Sequence, residues 1–297
     1  MQTRSMHEAY RGLLCDLMNR GVTETNARTK TDIKMLQGAT SFKLDLTSGR
    51  LPVAGNRRYY PHVAAAEAAW QFMGTKDPAF ILGKAPKLWS KFVEDGELKT
   101  AYGYRWREHF GRDQLDLTID ELMSNPTNRQ LFISAWDPAN DGLGGPQPKN
   151  IPCPVGFTVS RFGDDLHMSV FVRSSDVFVG LPYDVMVYAL TLDAIAATVG
   201  CRPATLHFTL AHPHLYEPHW KAVAACTVDG SVTGRDEYHD PRLKGASTSW
   251  CDHCEPNLPG WSIDKIVTAP DDYVDTVKLL AKRVQNNSWD PMPEVIE

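Results

Sequence analysis

The sequence predicts an α+β fold: one domain, spanning residues 1–297, with a central mixed sheet flanked by helices. Three observations predict it. Helical apolar spacing dominates the N-terminal part. The period then changes, and Leu131-Phe132-Ile133 and the stretch 166–172 read as strands. Finally, a long apolar helix follows Pro182, runs to Gly200 and leads into another strand at 205–210.

The elements follow in order. Tyr10, Leu13, Leu14, Leu17 and Met18 form one apolar stripe, and Gly21 stops that first helix. Residues 24–34 are polar, carry Arg28-Thr29-Lys30-Thr31, and read as a loop. A second helix covers 61–73, with Pro61 at its start and Gly74 at its end. Thr118-Ile119-Asp120-Glu121 has the form of a capping box opening a short helix that ends before Pro126. A Gly-, Pro- and Asn-rich loop, 138–152, separates the first two strands. Signals weaken in 227–297, a divergent C-terminal region rich in Asp, Gly and Pro.

Composition excludes some functions. The net charge is -5 and no face reads as a basic stripe. Duplex nucleic acid is therefore not an expected partner, because such binding is mostly phosphate neutralisation. A small anion needs only a few well-placed arginines. No apolar run is long enough to cross a bilayer. Six scattered cysteines (15, 153, 201, 226, 251, 254) suit reduced thiols and a cytoplasmic location.

Five constellations can carry chemistry. Pro152-Cys153-Pro154 ends the flexible loop. A lone cysteine is commonly a small buried hydrophobe; between prolines at a strand start it can instead be a rigid, reactive thiol. Reactivity needs a neighbouring cation, which Arg173 at the end of the next strand can supply. Arg173-Ser174-Ser175-Asp176 precedes Gly180-Leu181-Pro182-Tyr183-Asp184. An Arg-Ser pair suits phosphate recognition, while Asp184 is either a functional carboxylate or a dipole partner for its helix. In the run from His212 to His219, three histidines lack the spacing of a zinc helix and suit hydroxyl contacts better. Cys251-Asp252-His253-Cys254 is half a zinc site, and free thiols are the expectation. Glu67 stands alone among alanines and Trp70. Burial there would fit it for acid–base work, and exposure would make it an ordinary surface residue.

Taken in order, these pieces resemble the thymidylate synthase family over roughly residues 5–225. The likeness rests on Arg28-Thr29, Glu67 with Trp70, Pro86 to Trp89, and Tyr102-Gly103 with Arg105-Trp106-Arg107. It continues through Arg129 before Ser134-Ala135-Trp136, Pro152-Cys153, Arg173-Ser174 with Asp176, Gly180-Leu181-Pro182, and His214-Leu215-Tyr216 with His219. The resemblance implies that fold and a set of roles. Cys153 would add to C6 of a pyrimidine nucleotide, and 5,10-methylenetetrahydrofolate would donate the one-carbon unit. Glu67 and Tyr102 would organise proton transfers. Arg28, Arg129, Arg173 and Ser174 would hold the 5′-phosphate, with Arg129 reaching across a homodimer interface. His214 and Tyr216 would contact the sugar, while Trp89, Asp176 and Gly180 would serve the folate side.

The departures are informative. The synthases carry Asn where this chain has Asp184. A carboxylate has no donor for uracil O4 but accepts from the N4 amino group of cytosine. The same replacement occurs in the phage deoxycytidylate hydroxymethylases. Pro154, Thr158 and Gln130 stand where synthases have His, Gln and a second phosphate arginine. The expected activity is therefore hydroxymethylation of dCMP. The alternatives are methylation of dCMP, a CMP version, and an inactive nucleotide- or RNA-binding relative. No metal is expected.

Overall fold

The computed structural model describes residues 5–27, 29–54, 59–146, 148–227 and 257–288. It is α+β, with two sheets and helices packed against them. Helix α1 (Met6–Arg20) starts on a reciprocal cap: Ser5 Oγ accepts from Glu8 N–H, and Glu8 Oε2 accepts from Ser5 N–H. Its stripe of Tyr10, Leu13, Leu14 and Leu17 is buried.

Residues 22–35 correct the expectation of a loop. They form a hairpin, β1 (Val22–Thr25) and β2 (Asp32–Met35). The residues of β1 are exposed, so the strand carries no alternating apolar signal. Strand β3 (Thr40–Asp45) follows.

Helix α2 (Pro61–Phe72) is buried from Ala64 to Phe72. A helix built mainly of alanine belongs in a core, where its small side chains let neighbours approach closely, and here it also buries Glu67 and Gln71. Helices α3 (Ala79–Lys84), α4 (Pro86–Trp89) and α5 (Tyr102–Arg107) follow. Between α5 and α2 the backbones nearly touch: a Cβ on Gly103 would lie 1.9 Å from the Gln71 carbonyl oxygen. Only glycine fits there, and this contact seats Tyr102 beside the helix that carries Glu67.

Helix α6 (Gln114–Ser124) begins one turn earlier than the capping-box pattern suggests. Its cap is Asp113, whose side chain accepts from Leu115 and Asp116 N–H. Thr118 is buried inside the helix.

Strands β4 (Phe132–Ser134), β5 (Pro154–Phe162), β6 (Asp165–Val172) and β7 (Ser175–Asp176) lead to α7 (Leu181–Val199). Gly200 ends α7 in the left-handed conformation at φ 70°. Then come β8 (Arg202–Leu210), β9 (Pro213–Tyr216), α8 (Trp220–Thr227), α9 (Ile263–Thr268) and α10 (Pro270–Ser288).

One sheet has the order β3-β8-β6-β5-β4, with β6 and β8 parallel and joined through α7. The other has the order β1-β2-β9-β7. The five-stranded sheet buries one face: Phe42, Leu44, Phe157, Val159, Met168, Val170, Leu206 and Phe208 all join the core with α7. Each such side chain contributes roughly 1.5–3 kcal/mol by leaving water. The opposite face carries Lys43, His207, Ser169, Thr158 and the exposed Phe132 and Phe171. Thr158 therefore lies on the open sheet face, away from the strand end that bears the cysteine. Among the described residues no helix is long and apolar enough to cross a membrane.

Candidate active site

Cys153 immediately precedes β5, held by backbone bonds on both sides. Its carbonyl accepts from Arg173 N–H (2.9 Å), and its N–H donates to the Tyr102 hydroxyl oxygen (3.1 Å). The thiol is half-buried. Its neighbour Pro154 is buried and pairs with Val172 in the ladder.

The cation looked for beside the thiol is present. Arg173 Nη2 lies 3.7 Å from Cys153 Sγ. The same guanidinium donates to the carbonyls of Pro152 (2.8 Å) and Ile151 (2.9 Å), and it sits 5.7 Å from the Trp136 ring centroid. Arg173 is thus fixed by the loop that presents the cysteine.

Glu67 projects from the middle of α2 and is 8% exposed. Burial, with the nearby charge of Asp184, pushes its carboxyl up to about 8. The Trp89 indole N–H offsets part of that rise, although it makes no hydrogen bond of ordinary geometry and stays buried without an acceptor. Gln71 Nε2 donates weakly to Glu67 Oε1 at 3.4 Å. Tyr102 is buried too, and burial with the neighbouring Cys153 and Asp184 holds its phenol well above the usual range. It keeps its proton while accepting from Cys153 N–H.

Asp184 stands in the first turn of α7, where its N–H donates to Gly180 O (3.1 Å). It is half-buried, and enclosure by protein with the charge of Asp176 pushes it up to about 7. Four residues on, on the same helix face, Tyr188 feels both Asp184 and Glu67, and burial holds its phenol well above the usual range. Tyr188 escaped the sequence reading because a tyrosine in an apolar helix looks like core; its i+4 spacing from Asp184 was the available signal.

The second sheet gathers the remaining groups. Strand β7 pairs with β9 in parallel, placing Asp176 beside His214. His214 is buried, donates from Nδ1 to His212 O (3.1 Å), and meets Tyr216 edge-on at 5.1 Å. Ser174 is half-buried next to Arg173. Asp176 Oδ1 accepts from Phe178 and Val179 N–H at 3.1 Å, which leaves Oδ2 outside these bonds. Gly180 caps α7 and donates to Asp176 O (3.0 Å).

Cys153, Tyr102, Glu67, Asp184 and Arg173 are therefore brought together, and Trp89 joins them as a buried neighbour of Glu67. Arg129 and Gln130 do not join the cluster; both are exposed just ahead of β4. Arg28, Cys251 and Cys254 lie outside the described residues. Among the described residues no group of His, Cys, Asp or Glu side chains forms a metal-binding cluster.

A thymidylate synthase family model matches residues 8–248, well over half of the chain. The match ends before α9 and α10, which pack on α2. With this match and this geometry, the chain belongs to the thymidylate synthase family, whose members use folate to transfer a one-carbon unit to C5 of a pyrimidine nucleotide.

Proposed function

We propose that the protein is a deoxycytidylate hydroxymethylase, converting dCMP to 5-hydroxymethyl-dCMP. The observation that carries this reading is Asp184, enclosed beside Glu67 and Tyr102 where the family's synthases have Asn. Its carboxyl accepts from N4 of cytosine and shares one proton with N3. That proton withdraws electrons from the ring and favours addition of the Cys153 thiolate at C6. C5 then becomes the nucleophilic carbon that takes up the one-carbon unit. Glu67 and the protonated Tyr102 hold the protons that move at the base. Arg173 and Ser174, with Arg28, bind the 5′-phosphate, and His214 and Tyr216 bind the sugar. Loss of the C5 proton would free tetrahydrofolate from the transferred carbon and leave an exocyclic methylene. Addition of water there, with departure of the Cys153 thiolate from C6, yields the hydroxymethyl group.

Methylenetetrahydrofolate supplies the one-carbon unit when bound. The residues present fit it: Asp176 Oδ2 can accept from pterin N–H groups, and Trp89 offers a buried N–H with no acceptor. Gly180, Asp176 and Trp89 are the residues that would hold it.

A homodimer belongs to the same reading. In this reading the open face of the five-stranded sheet, with exposed Phe132 and Phe171, would meet a second copy, and the exposed Arg129 ahead of β4 would enter the partner's phosphate site.

Two measurements test the assignment. Tritium should be released from C5 of labelled dCMP in preference to dUMP, and the product should gain CH2O by mass. A gain of CH2 would make the enzyme a methyltransferase, and no release from either nucleotide under binding conditions would remove the enzymatic reading.

The pH dependence has a defined sign. Asp184 and Glu67 titrate at about 7 and about 8, above their ordinary values of 3.8 and 4.5, so the protonated pair is the form the fold favours. The two titrate as a coupled unit. Turnover of dCMP should decline as pH rises through about 7 to 8. The pair's contribution to stability is fully present below the ordinary values of 3.8 and 4.5, falls as pH rises above them, and is gone once pH has passed about 8. A turnover that stays flat to pH 9 would contradict the role of this proton.

A further inference from the structure

We infer that the buried Arg105–Asp141 ion pair, acting through Trp136, is a positioning device that holds the Arg173 guanidinium against Cys153. The inference rests on the assignment of Cys153 as nucleophile and extends it to residues outside the site.

The chain of contacts is continuous. Arg105 on α5 meets Asp141 with both terminal nitrogens, Nη1 to Oδ2 at 3.2 Å and Nη2 to Oδ1 at 3.1 Å. Both side chains are almost wholly buried, at 3% and 0% exposure. Such a bidentate pair is directional as well as strong. Asp141 Oδ2 also accepts from the N–H of Asp137 (2.8 Å), the residue directly after Trp136. Asp137 in turn accepts from Asp141 N–H (2.8 Å) and Asn140 N–H (3.1 Å) through its carbonyl, closing a tight turn. Its carboxylate accepts from Asn140 Nδ2, Ala139 N–H and His109 Nε2.

This turn delivers Gly142 onto Trp136. Gly142 has φ +62°, and a Cβ there would come within 3.2 Å of Trp136 Cη2. Meanwhile Ala135 and Trp136 N–H both donate to Val155 O (2.9 and 3.1 Å), two residues past the cysteine. The indole is thus fixed by the turn and by β5. Its ring then carries the Arg173 guanidinium, whose Nη2 faces Sγ. Without the ring, Arg173 keeps its carbonyl bonds but loses a wall that limits its rotamers. Arg105 and Asp141 touch no reacting atom in this arrangement; they act on where Arg173 stands.

The test is alkylation of Cys153 in the full chain by iodoacetamide, read on the Cys153 peptide by mass spectrometry across pH. It needs neither nucleotide nor folate, so a wrong assignment of base or product leaves the readout intact. Asp141→Asn keeps an acceptor for Asp137 N–H but removes the bidentate carboxylate partner of Arg105, leaving only its longer pairing with Asp137 Oδ2 (3.7 Å). Its alkylation profile should move toward higher pH, with the rate at neutral pH reduced about tenfold for each unit moved. Trp136→Leu should move the profile in the same direction, Trp136→Phe should largely restore it, and Asp141→Asn should add little in the Trp136→Leu background. A cooperatively melting Asp141→Asn protein with an unchanged profile would overturn the inference, as would additive effects in the double variant. If Asp141→Asn does not fold, the Trp136 variants decide: an unmoved profile in Trp136→Leu overturns it, and a moved one rescued in Trp136→Phe supports it.

Discussion

Asp184→Asn should turn the base preference from dCMP toward dUMP by about 100-fold or more, roughly 3 kcal/mol. The argument is one of donors and acceptors. Asp184 in its protonated form, or as a carboxylate facing protonated N3, pairs with the N3–N4 edge of cytosine. Asn held with its carbonyl toward N3 and its amide toward position 4 accepts from N3–H of uracil and donates to O4. In that same orientation it sets its carbonyl against N3 and its amide donors against the N4 amino group of cytosine. A buried polar mismatch of this kind is expensive, because neither group can return to water. The substitution also removes a neighbour whose charge helps raise Glu67. The decline of turnover above neutral pH should therefore begin at a lower value in the variant. Competition between dCMP and dUMP for tritium release is the direct measurement. A preference that does not move would mean that another group reads N4.

Gly103→Ala is expected to have the largest effect on stability of any single methyl addition in the described core. The added Cβ would lie 1.9 Å from the Gln71 carbonyl oxygen and 2.5 Å from its carbonyl carbon and Cα. Backbone cannot rotate away as a side chain can, so α5 must separate from α2. Overpacking of this severity should cost about 3 kcal/mol or more, visible as a lower urea midpoint. The site should suffer as well, since Tyr102 rides on α5 and Glu67 on α2. Protein that remains folded should retain nucleotide binding yet release tritium far more slowly. If its melting curve matched the parent protein, the close approach of the two helices would be wrong.

Much of this molecule was legible in its residues. The helices at α1, α2 and α7 follow from apolar stripes and from their Pro and Gly boundaries, and β6 and β8 follow from alternation. Those signals are local, because burial against a single core imposes its period directly on the chain. The hairpin of β1 and β2 was not legible, since exposed strands carry no apolar alternation and their pairing to β9 joins residues far apart in sequence. The start of α6 was misplaced because Asp113 and Thr118, five residues apart, are both capping residue types, and only the Asp113 bonds select between them.

The same division runs through the site. Residue types alone offered Cys153, Glu67, Asp184 and Arg173 as candidates, and the resemblance to the synthases, with Asp at 184 in place of Asn, is what supports the proposal of a cytosine base, because hydrogen-bond polarity belongs to the side chain itself. What only the tertiary structure decided is their electrostatics and support. Glu67 is an acid at neutral pH because α2 is buried on every side and Asp184 approaches it from α7. Arg173 faces the thiol because the carbonyls of Pro152 and Ile151 hold its guanidinium and the Trp136 ring, from a turn 32 to 37 residues upstream, lies against it. Both depend on desolvation and on contacts between distant segments, which exist only once the chain has folded.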